Sequence, residues 1–199
     1  MKRLLTVAAI VMSIAIAAQA QTQADKDRAI KYLESTKQGV LDATAGLSEA
    51  QWNFKSAPDR WSVAEVTEHI AAAEDLLRGM IVDKVMQSPV QPEGTDLKAT
   101  DDLVIAMIPD RSHKAQAPEP LKPTNRYGSP EAAIKHFLES RQQTIDFLKQ
   151  HDDLRLHAGD SPLGKKLDAY EWVLFIAAHS ERHTKQINEV KADPNFPKK

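Results

Sequence analysis

Apolar residues recur at helical spacing along four long stretches of this 199-residue chain, and hardly anywhere do they alternate as a strand requires. The first stretch covers roughly residues 25–45, with Ile30, Leu33, Val40, Leu41 and Thr44 on one face and Gly46 as a stop. The second covers roughly residues 62–87. Ser62 and Glu65 have the spacing of a capping box, and Val63, Val66, Ile70, Ala73, Leu77 and Met80 form the apolar stripe that follows. Pro89 and Pro92 close it. The third begins at Ser129-Pro130-Glu131, a cap followed by proline at the first helical position, and carries Ile134, Phe137, Leu138, Ile145 and Leu148. The fourth covers roughly residues 168–191. Asp168 and Glu171 repeat the capping-box spacing, and Val173, Ile176, His183, Ile187 and Val190 share a face.

Four amphipathic helices of this length predict an all-α protein, a four-helix bundle. A proline-rich connection of residues 88–129, with a short helical candidate at 100–108, separates the second helix from the third. It is long for a link between antiparallel neighbours, so it reads as a crossover that leaves those two helices parallel.

Composition narrows the setting. Lys2 and Arg3 precede an apolar run at residues 4–18, too short for a comfortable membrane span, and Ala18-Gln19-Ala20 fits a small-residue cleavage site. Residues 1–20 are therefore read as a signal peptide cleaved after Ala20. Residues 21–199 form the mature, single-domain protein, which is expected to be periplasmic or secreted, with no membrane association of its own. Losing Lys2 and Arg3 makes the formal charge, −2 for the whole chain, two units more negative. With no basic stripe, nucleic acid is excluded as the expected partner. The chain has no cysteine. Disulfides and thiolate ligands are thus impossible, and any metal must be held by nitrogen and oxygen donors.

The candidate chemistry lies in three histidines on two of the helices. His179 and His183 are spaced i, i+4 and lie one turn apart on one face; His69, on the second helix, supplies a third imidazole if the two helices face each other. Three nitrogen ligands with positions left open is the donor set of a catalytic metal site more than of a structural one. Zinc is the expected ion, with Ni, Fe or Mn as alternatives that imidazole also suits. Gln186, at i+3 from His183, shares the ligand face. Glu65, one turn before His69, reads first as a helix cap and second as a carboxylate orienting that imidazole. Glu181 lies about 200° around the helix from His179 and is expected to face away, which leaves no obvious general base. Arg182 reads as an exposed helix arginine. Trp52, Trp61 and Trp172 read as core anchors, one of which lines the pocket. His113, His136, His151 and His157 are not assigned to the site.

Trp61-Ser62-Val63-Ala64-Glu65 followed by His69, then Leu163-Gly164, Asp168-Ala-Tyr-Glu-Trp172 and His179-x-x-Arg182-His183-x-x-Gln186-Ile187, in this order on four helices, resemble the DinB/YfiT-like superfamily over about residues 25–192. The resemblance implies a bundle in up-down-down-up order, with His69, His179 and His183 as metal ligands. It implies a divalent-metal-dependent enzyme, of hydrolysis or of thiol or other group transfer, acting on a small molecule not yet identified. It also implies a homodimer. Relatives include thiol transferases that use bacillithiol or mycothiol, and proteins described as metal-dependent hydrolases. No feature here marks a thiol-cofactor site. A protein of another class, a non-catalytic periplasmic binding or stress-response protein that holds metal or a small ligand, fits the same residues.

Overall fold

Each long helix starts where a side chain caps its free amides. In the computed structural model, which describes residues 22–92, 98–112 and 114–198, α1 (Gln23–Thr44) is capped by Thr22, α3 (Val63–Met80) by Ser62 and α6 (Ala169–Lys191) by Asp168, each in a reciprocal capping box. Ser129 caps α5 (Pro130–Gln150), with proline at its first position. A five-residue helix, α2 (Glu49–Asn53), precedes α3, and α4 (Lys98–Met107) lies in the long connection. The signal peptide expected at residues 1–20, and His113, lie outside the described residues.

The helical stripe of the second segment does not run on as one α-helix to residue 87. It passes at Ile81–Val85 into a π-turn, in which Met86 N–H reaches back to Ile81 O at 2.9 Å. A small hairpin absent from the hydrophobic pattern, β1 (Ala158–Asp160) and β2 (Lys166–Asp168), leads into α6. Its turn places Gly164 at φ 70°, where a side chain would be strained.

Cross-helix bonds give the relative chain direction of the four long helices. Tyr170 bonds to Asp25 O, Tyr32 to Glu181, and Lys191 to Ala43 O, so α1 and α6 run parallel. Lys26 reaches Lys149 O and Arg141 reaches Leu33 O, so α5 opposes α1. Asp75 meets His136 and Arg78 meets Ser140, so α3 runs with α5. His69 meets His183, while Glu74 and Ser180 share Arg141, so α3 opposes α6. The order is up-down-down-up, with the long connection crossing between α3 and α5. Among the described residues no helix is long and apolar enough to cross a membrane.

The apolar core falls into two clusters. One gathers Leu33, Ile81, Leu148, Trp172 and Val173; the other gathers Val40, Val63, Ile70, Phe137 and Ile187. A buried polar layer lies between them. Arg141, fully enclosed, forms a two-pronged pair with Glu74 (2.8 Å each) and also donates to Leu33 O, Thr36 and Ser180. Four helices thus meet on one guanidinium. Such a buried charge is tolerable because all its partners are in place.

Candidate metal centre

The three histidines flank this polar layer. His69 is buried on α3, His183 is buried on α6, and His179, one turn before His183, is half-buried. His69 Nε2 lies 3.2 Å from His179 Nε2 and 3.1 Å from His183 Nε2. Two nitrogens that share one ion at about 2.0–2.1 Å can be no more than about 4.2 Å apart, so both separations suit a common ligand sphere. This is the one set of three or more histidine or acidic side chains with convergent ligand atoms among the described residues.

Proton accounting tests whether a cation fits. A neutral imidazole has one nitrogen that donates and one that accepts. His69 Nδ1 is 2.9 Å from Leu121 O, which can only accept, so the proton sits on Nδ1. His183 Nδ1 is 2.8 Å from Gln186 Oε1. That oxygen also accepts from Arg111 Nη1 at 3.4 Å, so it too acts as an acceptor, and His183 likewise carries its proton on Nδ1. The two Nε2 atoms therefore face each other at 3.1 Å with no proton between them; an Nε2–H on His179 can donate to His69 at 3.2 Å but leaves the His183 lone pair unmet, whereas a divalent cation can engage all three. Adding a proton instead is disfavoured. Burial, and then the neighbouring imidazoles, hold His179 and His183 well below the ordinary range, and burial lowers His69 against the opposing Leu121 bond.

The surroundings are aromatic on two sides. The half-buried Trp61 ring packs 5.0 Å from that of His69, and Phe175 stacks on His179 at 6.5 Å. Trp61 is thus the tryptophan beside the site, whereas Trp52 and Trp172 are buried in the two core clusters. Gln186 shares the ligand face, as its spacing indicates. Glu181 faces elsewhere, holding Tyr32 and Lys185. Glu65 acts as the helix cap and pairs with Lys55; it is Leu121 O, not Glu65, that orients His69. Arg182 is engaged by the carbonyls of Ile108 and Asp110, so it fastens the connection to α6. His136 pairs with Asp75, His151 with Asp153, and His157 with Ser88 O, all away from the site.

Several participants escape sequence reasoning. Leu121 contributes through its backbone, which carries no residue-type signal. Arg111 holds Gln186 and forms a two-pronged pair with Glu189 across 78 positions, a separation with no local signature. Glu68 is nearly buried beside His69 and accepts from the backbone of Thr124, Asn125 and Arg126. Burial alone raises its carboxyl, but those donors and the Arg126 side chain outweigh burial and bring it below its ordinary value. Its adjacency to a candidate ligand was the only available hint.

Comparison with known proteins agrees with this architecture. The family model described as DinB superfamily matches residues 32–187. The uncharacterized protein YuaE of Bacillus subtilis (strain 168) is 27% identical over 149 residues, covering 73% of this chain and 86% of that protein. Among solved structures, YfiT from Bacillus subtilis, described as "a probable metal-dependent hydrolase with an unusual four-helix bundle topology", superposes with a TM-score of 0.54 at 16% identity, covering 89% of this chain and 91% of that one. At that identity the likeness speaks for the fold.

Proposed function

The chain belongs to the DinB superfamily, and from that premise we propose that it is a divalent-metal-dependent protein whose ion is held by His69, His179 and His183 and serves hydrolysis or group transfer on a small molecule. The observation that carries this reading is the pair of opposed Nε2 lone pairs, 3.1 Å apart, on His69 and His183. When bound, a divalent ion held by neutral imidazoles keeps its full charge and supplies Lewis acidity toward water or a substrate heteroatom.

The chain's own residues do the rest. Leu121 O and Gln186 Oε1 hold the Nδ1 protons, so that each Nε2 stays a lone-pair donor. Arg111 keeps the Gln186 amide in the orientation that accepts. Trp61 and Phe175 pack against the rings of His69 and His179, the latter the least buried of the three histidines. Zinc is the expected ion, with Ni, Fe or Mn as alternatives. Export rests on residues 1–20. Cleavage after Ala20 leaves the first helix cap, Thr22, in place, so the mature chain keeps α1 whole; N-terminal sequencing of the secreted protein checks this.

One observation favours a second reading, a protein that binds metal or a small ligand without turnover. The carboxylates nearest the ligands in sequence are all engaged elsewhere: Glu65 in its cap, Glu68 by the connection and Glu181 by Tyr32 and Lys185. None is poised as a general base. Elemental analysis of untagged mature protein, beside the His69→Ala/His183→Ala double variant, tests the metal reading. Near-stoichiometric metal in the wild type that is lost in the variant is the expected result. Absence from wild type, with no uptake on reconstitution, overturns it. Turnover of ester, amide or thiol-transfer substrates then separates the enzyme from the binding protein.

A further inference from the structure

Two adjacent residues of α3 grip the same short stretch of the connection. His69 bonds through Nδ1 to Leu121 O at 2.9 Å. Glu68, whose side chain is 8% exposed, accepts backbone N–H bonds from Thr124 (2.7 Å), Asn125 (2.8 Å) and Arg126 (3.3 Å), and a side-chain bond from Arg126 Nε (3.1 Å). Successive amides turned onto one carboxylate form an anion-cradling concavity of the kind made where a left-handed residue interrupts the chain. Asn125 is that residue, at φ 60°.

Between these two grips Lys122 N–H closes the 3₁₀ turn on Glu119 O (3.1 Å), and Lys122 O accepts from Arg126 Nη2 (2.8 Å). The 3₁₀ turn at Glu119–Leu121 ends at Leu121, and Pro123 offers no N–H. The turn thus moves as a unit with its Leu121 carbonyl, and its seat on α3 depends on what holds the residues just past it: Glu68 holds Thr124, Asn125 and Arg126, and Arg126 in turn holds Lys122 O. We propose that Glu68 is a positioning residue of the three-histidine centre: by clasping Thr124, Asn125 and Arg126 it aims Leu121 O at His69 Nδ1, and so fixes the tautomer and direction of His69 Nε2. This rests on the metal-holding reading above. It also has a reciprocal side. If the clasp strengthens metal binding, metal binding must tighten the clasp by the same factor.

A residue that only anchored a loop would change the stability of metal-free and metal-loaded protein alike and leave affinity untouched. The test therefore reads affinity and ligand geometry. Zinc affinity by chelator competition, and the visible absorption of the cobalt(II)-loaded protein, are compared for wild type, Glu68→Ala, Glu68→Gln and Arg126→Ala. Glu68→Ala is expected to bind zinc about 10–100-fold more weakly, the usual effect of removing an outer partner of a ligand, with a changed cobalt spectrum. Glu68→Gln, which keeps one acceptor oxygen, is expected to recover part of the loss. Arg126→Ala, which keeps all three backbone donors but loses the side-chain bonds to Glu68 and Lys122 O, is expected to fall between wild type and Glu68→Ala. In the wild type itself, the amides of Thr124, Asn125 and Arg126 are expected to exchange hydrogen more slowly with zinc than after chelation, a result that decides the matter even if Glu68→Ala fails to fold. Wild-type affinity and spectrum in Glu68→Ala, or amide exchange indifferent to zinc, overturns the assignment. Wild type that takes up neither ion overturns instead the three-histidine reading beneath it.

Discussion

His183 depends on a side-chain amide for what His69 obtains from a backbone carbonyl. Removing that amide should release the His183 tautomer while leaving the fold alone, because Gln186 is only half-buried and serves no apolar cluster. Gln186→Ala is therefore expected to weaken metal binding by about 10-fold or more with little change in the melting temperature of the metal-free protein. Chelator competition beside thermal melting checks this. The convergence of His179, His183 and Gln186 was readable from the sequence because helical spacing alone puts them on one face, whereas His69 joined them only through a facing helix and a family resemblance. Leu121 and Arg111 were not, since one acts through its backbone and the other reaches its partners only after the chain has crossed the bundle. Glu65 shows the limit of spacing arguments. It sits one turn from His69, yet Ser62 N–H and Lys55 already occupy its two oxygens.

Between the helices, the strongest contact is also the one no hydrophobic pattern announces. Arg141 lies on the inner face of α5 among positions that periodicity assigns to the core, and a charged residue is normally assumed to face water. Here Glu74, Thr36, Leu33 O and Ser180 satisfy it. Arg141→Met leaves the Glu74 carboxylate buried without its partner and is expected to cost about 3–5 kcal/mol, whereas adding Glu74→Leu should recover much of that, since the desolvated charge is then gone from both sides. Chemical denaturation of the two variants measures the difference. Helix starts were readable in the sequence because Ser62, Ser129 and Asp168 cap by local chemistry. The π-turn at Ile81–Val85 and the three-residue strands were not. The turn continues the apolar stripe with no proline and only Gly79 before it, and the strands are too short to show alternation.

For the molecule as a whole, stability should carry the mark of a crowded acidic group at the start of α6. Arg155 gathers Asp25, Asp101 and Asp168 (2.8–3.3 Å), which ties α1, α4 and the hairpin to that helix. Glu171 lies fully buried beside Asp168 with Oε1 unpartnered; burial, and then the Asp168 charge, push its carboxyl up to about 8 from 4.5. Below about pH 4.5 it is neutral folded or unfolded. Between there and about 8 only the unfolded chain ionises, so this group's stabilisation is lost as pH rises, at no more than about 1.4 kcal/mol per pH unit for one proton. The three histidines, held low, act with the opposite sign, giving up stability as pH falls below 6.5. Comparing wild type with Glu171→Gln, which keeps the cap, cancels that contribution; the difference in unfolding free energy should fall between about pH 4.5 and about 8 and level off above. The crossover of the bundle has one more effect. His69 and His183 are 114 positions apart, and Leu121 is 52 from His69. Contacts of such separation are closed late, after the entropy of long loops has been overcome. A chain still being made thus has no three-histidine cluster to offer an ion. If the cluster holds a metal, as proposed, the choice among competing ions is made only once the last helix has docked, and the ions at hand at that moment count as much as the imidazoles.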